Sequence, residues 1–251
     1  MREINFKKKL NLWELAGFSK AKNFNCEILV KQAYQKGFLE DENDYLLSKF
    51  VNHFKNKDKF KAQLFQDIFA SFIIGEKFDK TFLEFGATDG LNLSNSYMLE
   101  NSLDWKGVLS EPSPQWHDSL KTNREKTKII TKCIWSETGK TLDFFMSESG
   151  EFSTLNDYVD NDIHSLPGNT KQRKKAGKII TVNTISLNDV IKDYFDNKPP
   201  SYISVDTEGS EYEILKVFDF KKFRPVFFTI EHNFTNYENK INDLMISNNY
   251  I

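Results

Sequence analysis

Residues 82–90 read Phe-Leu-Glu-Phe-Gly-Ala-Thr-Asp-Gly, an apolar run that reaches a carboxylate and then breaks into small residues. This pattern predicts a buried strand that ends in a tight glycine turn. Gly86 and Gly90 lack the Cβ that would keep a ligand away from the backbone, and Glu84 can accept hydrogen bonds from a hydroxyl or an ammonium group. Such a turn also ends many strands that bind nothing, so its function depends on the segments around it.

Beyond residue 78, short apolar runs alternate with helical segments, which is typical of an α/β fold with a parallel sheet covered by helices on both faces. The predicted strands are 81–85, 106–110, 128–134, 202–206 and 225–230, and the predicted helices are 93–101, 114–123, 185–195 and 211–217. Residues 141–145 predict an additional hairpin. The polar stretch 147–178 predicts a long loop, either a solvated basic surface or a lid that attracts an anionic substrate.

The first 75 residues carry helical spacing and no strand signal. Helices are predicted at 25–38, 43–55 and 59–74, with Gly75 as the stop. The predicted domain division is a helical region at 1–75, acting as a cap or in formation of a homo-oligomer, and a ligand-binding domain at 76–251.

Composition excludes several classes of function. The 34 basic and 36 acidic residues give a formal net charge of -2, so no overall field favours nucleic acid or an anionic membrane. The chain has 2 cysteines, too few for a disulfide framework, which favours a reducing cytoplasm. No apolar run is long enough for a signal peptide or a membrane span, so a cytoplasmic location is predicted.

A second carboxylate follows the second predicted strand. Glu111 lies 21 residues beyond Gly90 (111 − 90), a spacing at which an acid can accept hydrogen bonds from the two ribose hydroxyls of a nucleoside. The alternative is an ordinary acid at a helix start. The dinucleotide pattern GxGxxG fails, because Thr88 and Leu91 occupy the places of its second and third glycines. S-adenosylmethionine has no phosphate, and its ammonium group suits Glu84 or Asp89.

The ends of the last two predicted strands carry acids. Asp206, Glu208 and Glu211 fall within six residues and would repel one another unless a cation, a proton or a helix N-terminus offsets them. The next strand leads into Glu231 and His232. The histidine could be a general base, a metal ligand beside Asp206 and Glu231, or a hydrogen-bonded core residue.

Five motifs together resemble the FkbM family of S-adenosylmethionine-dependent methyltransferases. They are Gln66-Asp67, the 82–90 stretch, residues 105–112, residues 206–211 and residues 231–233, and the resemblance covers roughly residues 60 to 245. It implies a class I Rossmann-like sheet and methyl transfer to oxygen, typically to hydroxyls of sugars or secondary metabolites. Members end in an antiparallel hairpin, which is expected to be missing here because the sequence stops at Ile251.

The resemblance also implies roles for individual residues. The cofactor-binding set is Gln66, Asp67, Glu84, Gly86, Thr88, Asp89 and Gly90 around the methionine part, Glu111 at the ribose, Ser136 at the adenine and Asp206 facing the methyl donor. Our catalytic hypothesis is that Asp206 or His232 takes the proton, while Glu208 and Glu231 position the acceptor or a divalent cation. A nicotinamide-dependent oxidoreductase and a non-catalytic binding module are the alternatives.

Overall fold

The computed structural model describes residues 60–160, 177–232 and 237–250. The predicted helices 25–38 and 43–55 lie outside these ranges. The strands are β1 Thr81–Phe85, β2 Lys106–Ser110, β3 Lys128–Ile130, β4 Cys133–Trp135, β5 Thr141–Ser147, β6 Thr154–Leu155, β7 Gly177–Ser186, β8 Tyr202–Val205 and β9 Phe227–Ile230. The helices are α1 Gln66–Ile74, α2 Tyr97–Leu103, α3 His117–Asn123, α4 Leu187–Tyr194, α5 Glu211–Leu215 and α6 Tyr237–Ser247, and a 3₁₀ helix spans Asn156–Tyr158.

The larger sheet has five parallel strands in the order β3-β2-β1-β8-β9. The predicted α/β class and the predicted strands β1 and β2 are confirmed, as are β8 and β9 within a few residues. The strand order runs outward from β1 on both sides, so it reverses between β1 and β8. Open parallel sheets bind ligands at such a reversal, beyond the carboxyl ends of the strands.

A second sheet of four strands has the order β4-β7-β5-β6. The single strand predicted at 128–134 is wrong: its first half pairs with β2, and Cys133 starts a strand that pairs with β7. The predicted hairpin is confirmed as β5 paired with β6, and β7 runs antiparallel to β5. The predicted loop 147–178 is therefore wrong at both ends, because β6, the 3₁₀ helix and the start of β7 fall inside it.

Several helices start later than predicted, for local reasons. The helix predicted from residue 93 begins at Tyr97, because residues 94–96 hydrogen-bond to Glu84 instead. The helix predicted from residue 185 begins at Leu187, after the Ser186 hydroxyl accepts a hydrogen bond from the Asp189 N–H at 3.1 Å. The helix predicted at 59–74 spans only Gln66–Ile74, and α6 was not predicted at all.

Helices cover both faces of the larger sheet. One apolar cluster joins Leu83, Phe85 and Ile203 to α4 and α5, and the other joins Phe82 and Tyr202 to α1, α2 and α3. Helix α1, predicted to belong to a separate N-terminal region, thus shares the core of the sheet. No helix in the described ranges is long and apolar enough to cross a membrane.

Candidate active site

A cavity opens at the carboxyl ends of β1, β2, β8 and β9, where the strand order reverses. Nine of the thirteen predicted site residues line it: Gln66, Glu84, Gly86, Thr88, Glu111, Asp206, Glu208, Glu231 and His232. The other four, which do not line it, are Asp67, Asp89, Gly90 and Ser136. The topology therefore brings most of the predicted acids to one place.

Glu84, the penultimate residue of β1, is buried at 3% exposed, and its carboxylate is held by neighbours. The Asn95 N–H donates to Oε1 at 2.8 Å, and the hydroxyls of Ser94 (3.0 Å) and Ser96 donate to Oε2. Each oxygen of a carboxylate can accept two hydrogen bonds, so Oε1 retains room for one more donor. Glu84 thus fixes the shape of residues 94–96 as well as facing the cavity.

Arg124, which sequence reasoning missed, supports this network from behind. Its side chain is buried and forms an ion pair with Glu100. It also donates to the Ser94 and Ser96 hydroxyls, at 3.2 and 3.0 Å, and to the Gly90 carbonyl at 3.1 Å. Nothing in its sequence context, beyond its place after α3, distinguishes it from a surface arginine.

The two loop glycines serve different purposes. Gly86 has φ +79°, and a Cβ there would lie 1.8 Å from the Asp206 carbonyl oxygen, so the ends of β1 and β8 can approach only through glycine. Gly90 has φ +72° and packs against Leu120 of α3 and against Arg124. Gly90 therefore serves packing, whereas Gly86 borders the cavity.

Asp89 closes the turn rather than facing the cavity. Its carboxylate accepts from the N–H groups of Leu91 (2.9 Å) and Asn92 (2.8 Å) and from the Asn92 side-chain amide at 2.6 Å. The ammonium-binding role predicted for Asp89 has no support in this geometry.

Glu111 extends from β2 into the cavity from a buried position. The Thr88 N–H donates to Oε2 and the Ser113 N–H to Oε1, each at 2.8 Å. Loss of contact with water raises the pKa of this carboxyl to about 7, although both hydrogen bonds oppose the rise. The carboxylate is thus fixed in place with acceptor capacity left on each oxygen, as a ribose site requires.

The predicted adenine contact, Ser136, lies beyond β4 and does not line the cavity. Pro112, Cys133 and Ile134 line the cavity instead, together with Phe144 from β5. The displacement follows from the break at residues 131–132, which moves β4 into the second sheet. The part of the cavity wall that was predicted to contain the Ser136 hydroxyl is therefore formed by nonpolar side chains.

Three carboxylates meet at the ends of β8 and β9. Oxygens of Asp206, Glu208 and Glu231 all lie within 4.8 Å of one another. Burial away from water raises the pKa of Asp206 well above its usual range, and Glu231 beside it adds to the rise. The Glu231 Oε2 atom is buried and meets no hydrogen-bond donor within the described ranges. Either a proton or a cation would relieve this repulsion.

His232 lines the same cavity but belongs to a different contact. Its Nδ1 lies 3.7 Å from Glu238 of α6. Within the described ranges, the side chain that groups with Asp206 and Glu231 is Glu208, which was predicted to help position a cation. The candidate metal set of Asp206, Glu231 and His232 stays a prediction.

Glu211 and Thr154 hold the loop that carries this acid cluster. The Glu211 carboxylate, 3% exposed, accepts from the N–H groups of Thr207 and Gly209 at 2.9 and 3.1 Å. Thr154 of β6 donates its hydroxyl to the Glu208 carbonyl at 2.9 Å. Glu208 itself has φ +59°, in the left-handed region that few residues other than glycine adopt. The second sheet thus anchors a strained loop at the cavity.

Gln66 and Asp67 lie at the start of α1, beside the Glu84 end of the cavity. Gln66 lines the cavity, and its side-chain oxygen accepts from the Leu64 N–H at 2.8 Å. Asp67 is fully buried, and its Oδ1 accepts from the Ile68 N–H at 2.8 Å. Its Oδ2 has no partner within the described ranges. Loss of water contact raises the pKa of Asp67 to about 7.

These residues fit S-adenosylmethionine on the grounds of their chemistry. Hydrogen-bond acceptors at Glu111 and Glu84 suit its ribose hydroxyls and ammonium group, and the glycine at residue 86 keeps the backbone open between them. The sequence contains no GxGxxG loop, whose backbone N–H groups would bind a pyrophosphate.

Comparison with models of protein families gives a match. The model of the methyltransferase FkbM domain matches residues 84–250. No curated protein and no solved structure matches the chain.

Proposed function

Because the chain belongs to the FkbM methyltransferase family, we propose that it transfers a methyl group from S-adenosylmethionine to a hydroxyl of a sugar, glycan or related small metabolite. The observation that carries this proposal is one cavity that joins Glu111, at nucleoside spacing, to the Asp206 and Glu231 carboxylates across Gly86. The first carboxylate suits a nucleoside, and the second group suits removal of a proton.

S-adenosylmethionine supplies an electrophilic methyl group on a sulfonium, and the neutral thioether S-adenosylhomocysteine is the leaving group. The chain has to align the acceptor oxygen and remove its proton. Asp206 is the proposed base, because its raised pKa lets it take a proton from a hydroxyl more readily than an ordinary aspartate would. Glu208 and Glu231 are proposed to position the acceptor, and His232 is the alternative base.

A divalent cation held by Asp206, Glu208 and Glu231 would give the same carboxylates a different task, lowering the pKa of the acceptor hydroxyl. Dialysis against a chelator separates the two accounts. Under the proton account, turnover is unchanged by the chelator and by added Mg²⁺ or Mn²⁺. If the chelator abolishes turnover and one of these ions restores it, a metal ion rather than a side-chain base activates the acceptor hydroxyl.

The methyl donor is tested by thermal unfolding with S-adenosylhomocysteine and, separately, with NADH. A ligand at 100 times its Kd stabilises a protein by about 2.7 kcal/mol, which corresponds to a rise in Tm of about 5–10 °C for a chain of this size. We expect that rise for S-adenosylhomocysteine alone. The Glu111→Ala variant should lose it, while the exposed-loop control Glu137→Ala should keep it. A rise with NADH alone would favour an oxidoreductase.

The acceptor is tested with isotopically labelled methyl donor against nucleotide sugars, free glycans and phenolic or polyketide hydroxyls. Label should appear in at least one sugar-containing acceptor in a base-resistant ether linkage. Binding of S-adenosylhomocysteine without label transfer to any member of the panel would favour the non-catalytic binding module.

A further inference from the structure

The cavity is strongly acidic at the ends of β8 and β9, on the side proposed to bind the methyl acceptor. In the part of the chain that the structure describes, five carboxylates line this acceptor side: Glu151, Asp206, Glu208, Glu231 and Glu238. Across the same residues the cavity is lined by no lysine and by one arginine, Arg224. That arginine donates to the Asn248 carbonyl at 2.6 Å and lies over the Tyr250 ring, 4.3 Å from its centroid. An anionic acceptor would therefore be repelled by the carboxylates.

The loop after β8 uses its own hydrogen-bond donors internally. Loops at strand ends commonly bind phosphate through free backbone N–H groups. Here the N–H groups of Thr207 and Gly209 donate to the Glu211 carboxylate, at 2.9 and 3.1 Å. The Thr207 hydroxyl also donates to Glu211, at 3.0 Å, and the Ser210 hydroxyl donates to Thr207 Oγ1 at 2.9 Å. Because these four donors are engaged within the loop, the acceptor side suits a ligand that donates hydrogen bonds rather than one that accepts them.

The turn between β5 and β6 brings a further carboxylate to the acceptor side. Its Gly150 has φ +79° and packs against Trp116, whose ring a Cβ would approach to 2.3 Å. At its other end, Thr154 donates to the Glu208 carbonyl at 2.9 Å. The turn is therefore held at both ends, and its exposed Glu151 lines the cavity near the loop that carries Glu208.

We propose that the methyl acceptor carries no phosphate, sulfate or carboxylate group, and that Glu151 is a specificity-determining residue that disfavours acceptors with such groups. This proposal rests on the proposed function and narrows its acceptor to uncharged or ammonium-bearing sugars and glycans. Hydroxyl and ammonium groups donate hydrogen bonds to carboxylates, whereas the oxygens of a phosphate meet like charge there. Nucleotide sugars and sugar phosphates are thus excluded by repulsion.

The test compares transfer of labelled methyl groups by the full chain to matched acceptors that differ in charge. Each set contains a methyl hexopyranoside, the 6-phosphate of that sugar and its uridine diphosphate conjugate. In every set that takes label, kcat/KM should be higher for the uncharged member. A phosphorylated member that is labelled as well as its uncharged partner, or better, would overturn the proposal.

The role of Glu151 is tested by reversing its charge. Glu151→Lys should lower the ratio of kcat/KM between uncharged and phosphorylated members about tenfold, because the change of two charge units acts directly on the phosphate. Glu148→Lys is the matched control, since Glu148 is an exposed carboxylate of the same turn that does not line the cavity. The control should keep the wild-type ratio, and the difference between the variants should shrink in about 0.5 M NaCl, which screens exposed charges. Equal ratios in the two variants would remove Glu151 from the proposal.

A binding experiment separates failure of this proposal from failure of the proposed function. Pyrophosphate is titrated calorimetrically into the full chain saturated with S-adenosylhomocysteine, and we expect no binding at the acceptor side with a Kd below about 1 mM. Binding tighter than that, and strengthened further by Glu151→Lys, would overturn the proposal even if no acceptor took label. Absence of label from every acceptor, or failure of S-adenosylhomocysteine to bind, would instead overturn the proposed methyl transfer.

Discussion

The carboxylates at the two sides of the cavity differ in how their oxygens are satisfied. Glu84 accepts three hydrogen bonds from residues 94–96 and is backed by Arg124. Asp206 and Glu231 face each other with Glu208, and Glu231 Oε2 has no donor within the described ranges. The Glu84 side, whose carboxylate is held by hydrogen bonds, can hold a ligand in a fixed geometry. The side with Asp206 and Glu231 can exchange a proton. The difference predicts that substitutions will act on stability at one side and on turnover at the other.

The largest effect is expected for Asp206→Asn. Removal of the proposed base should lower kcat about 10²–10⁴-fold, the usual contribution of general base catalysis, with little change in the affinity for S-adenosylhomocysteine. Turnover of labelled methyl groups measures the first quantity and calorimetry the second. The exposed helix carboxylate variant Asp193→Asn should keep wild-type turnover. If Asp206→Asn turned over at the wild-type rate, His232 would become the base.

The pH dependence sharpens the same assignment. A base works only when deprotonated, so kcat should rise with pH through the raised pKa of Asp206. Glu231 contributes to that rise as a neighbouring like charge, and Glu231→Gln removes it. The rising limb of the profile should therefore move to lower pH in Glu231→Gln. An unmoved limb would mean that Asp206 is not the group that titrates.

Sequence reasoning succeeded where chemistry is local and failed where it depends on tertiary pairing. The run 82–90 predicted β1 and its turn, because the apolar residues of the strand and the two glycines of the turn are adjacent in the sequence. Residues 128–134 predicted one strand, since nothing in their pattern reveals that Cys133 pairs with a strand fifty residues later. The sequence likewise did not reveal that Glu208 groups with Asp206 and Glu231, because that grouping depends on the left-handed turn at Glu208.

The residues that support the site were still harder to predict from the sequence. Asn95 and Arg124 act through partners that are 109 and 24 to 34 positions away in the chain. A polar run at residues 94–96, inside a segment with helical spacing, was the one available sign of the former. Sequence therefore located the carboxylates of the site, and the structure identified what holds them.

On the Glu84 side of the cavity, Glu84→Ala should lower the stability of the protein even without ligand. The substitution leaves the buried Asn95 N–H and two serine hydroxyls without their acceptor, next to Arg124. We expect the free energy of unfolding to fall by about 3–5 kcal/mol, measured by urea denaturation. Glu76→Ala, which removes an exposed ion pair with Lys80, should cost less than about 1 kcal/mol. A similar small loss for both variants would show that the Glu84 network is not stabilising.

A smaller loss of stability is expected for a substitution at Gly86, where the end of β1 contacts the end of β8. Gly86→Ala places a Cβ against the Asp206 carbonyl oxygen and keeps a φ of +79° that alanine disfavours, which should cost about 2–4 kcal/mol. Gly139→Ala meets the same strain at φ +83° but has no atom within 4 Å of the new Cβ. Its cost should be about 1–2 kcal/mol, so the difference between the two measures the contact alone. Equal losses would show that β1 and β8 separate freely.

The smallest effect on stability is expected for Thr154→Val, which tests how the loop that carries Glu208 is held. Thr154→Val keeps the shape of a fully buried side chain and removes the hydroxyl that donates to the Glu208 carbonyl. The free energy of unfolding should fall by about 1 kcal/mol, the net worth of one hydrogen bond. Thr141→Val, at an exposed position on β5 where the hydroxyl bonds to Asn183, is the matched control and should be neutral. Because the loop places Glu208 beside Asp206, the Thr154 variant should also lower kcat more than it alters the affinity for S-adenosylhomocysteine. A change confined to affinity would mean that the loop serves the methyl donor, and the contrast between the two sides of the cavity would fail.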